Sequence, residues 1–141
     1  MAITQAFCTS AKVGFFTGTY IPLADTMKIA LYTSTATLDA TTTVYTTSNE
    51  VVGTGYTAGG NTLTGAAISS DAGTGTAWLT FDPTSWTTAT ITARGALIYD
   101  STQSNAAIAV LDFGADKIST AGTFTIQMPT AAAATALIRI A

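Results

Sequence analysis

The chain contains no histidine and one cysteine, Cys8. Without an imidazole no Ser–His or Cys–His nucleophile pair can form. A zinc site would need at least three protein ligands from a set that lacks histidine. A Ser–Lys dyad is formally open, but Lys12, Lys28 and Lys117 lie in no recognisable motif. A single cysteine also excludes an intrachain disulfide, and with it a disulfide-stapled secreted domain. The expectation is a non-enzyme without cofactor, in which Cys8 is a small buried residue.

Charge is the second shortage. Five basic and eight acidic residues leave 9% charged side chains and a net charge of −3 in 141 residues, against about 25% in an average domain. A folded monomer of this mass exposes roughly 6,800 Å², or about 520 Å² per charge. Threonine, the commonest residue, can do part of the solvating. The sparse charge also fits a surface that meets other subunits, where charges are depleted. The basic residues Lys12, Lys28, Arg94, Lys117 and Arg139 are scattered, so neither nucleic acid nor an anionic membrane is an expected partner. No run approaches the roughly 20 apolar residues of a membrane span. The opening residues MAITQAFCTSAKVGFFTG lack the basic start and compact apolar run of a signal peptide. Synthesis in a cytoplasm, without export by these routes, is expected.

Hydrophobic residues make up 48% of the chain, enough for a core of its own. Residues 1–26 differ from the rest. Ile3, Phe7 and Ala11 recur at helical spacing, with Phe15 one step on, while Gly14, Gly18 and Pro22 limit the run. This predicts a short amphipathic helix that either closes one end of a sheet or serves as an arm to a neighbouring subunit. Residues 27–141 carry strand signals: Met27–Tyr32, Val44–Val52, Asn61–Ile68, Gly75–Phe81, Ala89–Thr92, Gly95–Asp100, Ala106–Phe113, Gly122–Met128 and Ala136–Ala141. Gly95–Asp100 and Ala106–Phe113 are apolar on both faces and joined by a loop of hairpin length. The fold class is therefore all-β: a single-domain antiparallel sandwich or barrel of about eight short strands, with a short N-terminal helix or arm over 1–26 and the β domain over 27–141.

Candidate chemistry is thin. Asp100, Asp112 and Asp116 lie near neighbouring strand ends and could converge, either solvating turns or as a weak calcium site. Gly53–Ala58 fits a loose G-x-G-x-x-A, but turn and strand residues follow where a dinucleotide site needs a helix. The pairs Thr41/Thr43, Thr74/Thr76, Thr88/Thr90/Thr92 and Thr123/Thr125 are irregularly spaced, as expected of a hydrated strand face. Trp78, Trp86 and the five tyrosines could stack on a sugar, though strand aromatics more often anchor cores and interfaces.

Several segments together resemble the small virion structural proteins of tailed bacteriophages. They are MAITQAFCTS, Met27–Ser34, Asn49-Glu50-Val51, Gly53–Thr57, Ile91–Asp100 and Ala109–Gly114. The resemblance runs in order along most of the chain and departs from the family pattern at 14–26. It carries no catalytic signature. It implies a particle component, made in the host cytoplasm and resident in the virion. On that basis the expected role is a capsid decoration (cement) protein, a homo-oligomer, as a trimer, bound to the major capsid protein. Ile3, Phe7, Phe15, Phe16 and Tyr20 are its expected subunit contacts. A tail, baseplate or fibre component, and a carbohydrate-binding module facing the host surface, are the alternatives.

Overall fold

The computed structural model describes residues 2–141. Eight strands and one helix form among them: β1 (Ala6–Phe7), α1 (Thr9–Phe16), β2 (Met27–Tyr32), β3 (Asn61–Thr62), β4 (Ala67–Asp71), β5 (Thr76–Thr80), β6 (Thr84–Asp100), β7 (Ala106–Ile126) and β8 (Ile138–Ile140). They make two antiparallel sheets, one ordered β1-β7-β6-β2-β3 and the other β4-β5-β8. One apolar cluster runs from Ile3 to Ile138 across both. The chain is an all-β single domain with an N-terminal helix.

The centre of the larger sheet follows from the doubly apolar runs. β2 pairs with β6 from Met27↔Asp100 to Tyr32↔Gly95. Every residue of β6 from Gly95 to Asp100 is buried, as strands covered on both faces should be. Asp100 is the one charged residue in that stretch.

β6 and β7 form a single long ribbon, where the sequence had suggested four short strands. The breaks are bulges, and positive-φ residues mark them. Thr88 (φ 48°) and Ala121 (φ 46°) lie at the shifts on either side of Ala89↔Gly122. A larger one falls between Ala93↔Lys117 and Gly95↔Asp112 and contains Gly114 at φ 77°. There β7 spends five residues where β6 spends two. The ribbon folds over at this point. Phe113 and Phe124 would sit roughly 36 Å apart on a straight strand, yet their rings lie 6.4 Å apart. Phe124 also meets Trp86 edge-on.

The N-terminal helix is shorter than its spacing suggests. Ile3 bridges Leu38, and Ala6–Phe7 pairs with Ala109 and Val110 on the open edge of β7. Backbone bonding to that edge outcompetes a helix that would begin at Ile3. The helix starts after Cys8, with Ala11 and Gly14 facing inward. It ends in a Schellman cap: Gly18, at φ 73°, donates to the Phe15 carbonyl and Thr19 donates to Gly14. Its outer side is also apolar, with Val13 and Phe16 58% and 86% exposed. It is not amphipathic. The expected strand over Val44–Val52 is reduced to two isolated bridges, Val44↔Ala106 and Tyr32↔Glu50.

Candidate functional site

Two features stand out from this frame, one open and apolar, one closed and polar. The open one is a cleft of about 140 Å³ between the N-terminal segment and the smaller sheet. Phe7 and Phe15 form one wall. Ile68, Trp78 and Ile140 from β4, β5 and β8 form the other, and Pro22 also lines the cleft. Every lining residue is apolar. A second hollow shares Phe7, Phe15 and Ile140 with the first and adds Phe16, Lys12 and Arg139, so the two are one continuous face. Phe7, Phe15 and Tyr20 pack edge to face in series. Lys12 lies 5.7 Å over the Phe7 ring, and Arg139 is braced on the Ala134 carbonyl at 2.7 Å. Lys12 and Arg139 thus line the second hollow together with the aromatic rings. A mainly apolar face with few charges has the composition found at the core of protein–protein contacts in general.

The closed feature surrounds Glu50, the only glutamate, which is buried. Among the described residues no cation pairs with it. Instead Tyr45 and Tyr56 donate their hydroxyls to its two oxygens at 2.7 and 2.6 Å, and the Gly59 amide donates at 2.7 Å. Tyr56 in turn accepts from the Leu31 amide, and Tyr99 donates to the Gly59 carbonyl. Tyr45 stacks on Tyr99, with centroids 4.6 Å apart. Burial first, and then the negative charge of Glu50, pushes these phenols up, Tyr99 to about 12. Charge-assisted bonds of this kind are strong. The network clasps the loop 44–60 onto the β2–β6 face. It is enclosed and satisfied, which describes a structural anchor.

The expected contact residues divide. Phe7 and Phe15 line the cleft and Phe16 stands in solvent. Ile3 is 7% exposed and packs toward Gly95 in the core. Tyr20 is half-buried, its ring laid over Gly14, where a Cβ would overlap it.

The three aspartates do not converge. Asp100 lies opposite Ala106 and Asp112 opposite Gly95, about 17 Å along the strand. Asp112 pairs with Arg94 at 3.3 Å, Asp116 is exposed, and Asp100 adjoins Asp25. Among the described residues no three His, Cys, Asp or Glu side chains gather as a metal site. Gly53–Ala58 forms turns with no helix after them. None of the two tryptophans and five tyrosines is exposed, so no aromatic platform faces solvent. Among the described residues no helix is long and apolar enough to cross a membrane.

The glutamate clasp and the Asp25–Asp100 pair were both missed in the sequence. A lone glutamate between Tyr45 and Tyr56 was the one available signal for the clasp. Comparison with protein-family models, with curated proteins and with solved structures finds no match to this chain.

Proposed function

We propose that this protein is a structural component of a tailed-phage particle. In this reading it is a capsid decoration protein that packs as a trimer at local threefold positions and bridges subunits of the major capsid protein. The observation that carries the reading is the continuous apolar face formed by Phe7, Phe15, Phe16, Ile68, Trp78 and Ile140, on a chain with little charge to keep it solvated. Burying such a face stabilises an assembly by mass action and added contact area, without chemistry. The phage context rests on the resemblance of the segments quoted above.

Copy number in purified particles tests the reading. Hundreds of copies in DNA-filled heads support decoration, whereas a few dozen or fewer move the protein to the tail. Heads lacking it are expected to release DNA at lower temperature than complete heads. Equal release temperatures would remove the cement role.

A further inference from the structure

The hairpin turn between β6 and β7 holds a carboxyl that the fold leaves half-satisfied. Asp100 is wholly buried. Its Oδ1 accepts the amides of Thr102 at 2.9 Å and Gln103 at 3.2 Å, an Asx turn that shapes the hairpin end. Its Oδ2 has no donor and no solvent. Asp25 adjoins it, brought there by the bonds of Thr26 to Ser101 and Thr102. Asp25 belongs to the turn Ile21–Asp25, which it closes by accepting the Ile21 amide at 2.9 Å. Two ionised carboxylates cannot hydrogen-bond each other. One proton between them turns the contact into a short, charge-assisted O–H···O⁻ bond.

We infer that Asp25 and Asp100 share one proton, and that this proton latches the Ile21–Asp25 turn to the β6–β7 hairpin in mildly acidic solution and lets it loosen as pH rises past neutral. The surroundings supply neutral bridges, the Gln103 side chain on Asp25 among them, but among the described residues no cation. β2 places Met27 opposite Asp100 and β7 places Ala106 there; the turn adds Ser101, Thr102 and Gln103. Among the described residues Asp25 is the one ionisable group acting on Asp100, and no third ligand stands by for a metal. The flanking bonds are neutral: Thr26 donates its amide to Thr102 Oγ1 at 2.8 Å, and Ser101 donates its amide and hydroxyl to the Thr26 carbonyl, both at 2.9 Å.

The direction follows from the two sites. Burial, and then Asp25, raises Asp100 from 3.8 to about 6. The Ile21 amide, the largest influence on Asp25, holds it below the ordinary carboxylate range. A raised group contributes stability below its unfolded value and loses it as pH rises through about 6. The lowered group runs the other way and loses its share only as pH falls through its own low value. The latch is therefore strongest at mildly acidic pH. On opening at neutral pH the shared proton goes to solvent and both groups are carboxylates. The latch also bears on the apolar face, because Pro22 in the same turn lines the cleft.

Amide exchange and carboxyl ¹³C titration of the full chain test the latch. Protection of Thr26 and Ser101, corrected for intrinsic exchange, is expected to fall roughly ten- to a hundredfold between pH 5 and pH 8. Leu31 and Leu97 should hold constant as core references. Asp100→Asn supplies an N–H donor to Asp25 at any pH and keeps the Asx turn, so its protection should be flat across the range. Asp25→Asn should behave the same way, whereas Asp25→Ala should be loose throughout. Unchanged wild-type protection, or an Asp100→Asn chain that still loosens with pH, would overturn the latch. So would restoration of protection by calcium at pH 8, which would replace the proton with a cation. Should the variants fail to fold, the wild-type titration still decides. An Asp100 inflection near 6, echoed by Asp25, supports the latch, and separate inflections near the ordinary value sink it.

Discussion

The buried glutamate shows how much one residue can hold. Replacing Glu50 with alanine leaves two part-buried tyrosine hydroxyls and the buried Gly59 amide without their acceptor, at a cost of about 3 kcal/mol or more. Glu50→Gln keeps one good acceptor and should lose less. Urea unfolding midpoints rank the two, and a smaller loss for alanine would mean that the clasp is not a unit. Cys8 makes a second case. It has no exposed surface, and burial, reinforced by Asp39, pushes its thiol up to about 11. A maleimide at pH 7.5 is expected to leave it unmodified in the folded protein and to label it completely in denaturant; mass spectrometry reads both. The burial of Cys8 was legible in the sequence because a cysteine without a partner has few other uses. The Asp25–Asp100 pair was not, because 75 residues separate its members and only the hairpin register brings them together.

Among the elements, the doubly apolar runs were the most readable. Gly95–Asp100 and Ala106–Phe113 announced the central ribbon, and within the expected strand Gly122–Met128 the structure buries Phe124 and Ile126. Their continuity was hidden, because threonine- and glycine-rich stretches look the same whether they are loops or bulges. The helix start was misread for a related reason. A spacing of four from Ile3 to Phe7 to Ala11 suits a helix, but a nearby unpaired edge can claim the first two positions instead. The bulges themselves make a prediction. Ala121 is exposed and held at φ 46°, where a Cβ is strained. Ala121→Gly removes that strain and costs no buried contact, so thermal unfolding should show a gain of about 1 kcal/mol, less the entropy glycine adds to the unfolded chain. A loss would show that the turn is already relaxed.

For the whole molecule, the sequence foretold surface economy and the structure shows where it leads. The described chain exposes 6914 Å², close to the value expected from mass, and of its thirteen charges only Lys12 and Arg139 line the hollow with Phe7, Phe15, Phe16 and Ile140. Phe16→Asp combined with Ile140→Glu alters two side chains that are 86% and 49% exposed. Folding should therefore change little, while under the proposed capsid role affinity for purified heads drops roughly tenfold or more. Sedimentation with heads measures the second and circular dichroism the first. Undiminished binding would move the contact to another face. The pairing of Ala6–Phe7 with Ala109–Val110 also sets a clock on biosynthesis. At ribosomal speeds Phe7 waits roughly 5 to 20 s for its partner strand to be made. For that interval the aromatic start of the chain has no sheet to join, and nascent-chain chaperones have their best opportunity to hold it.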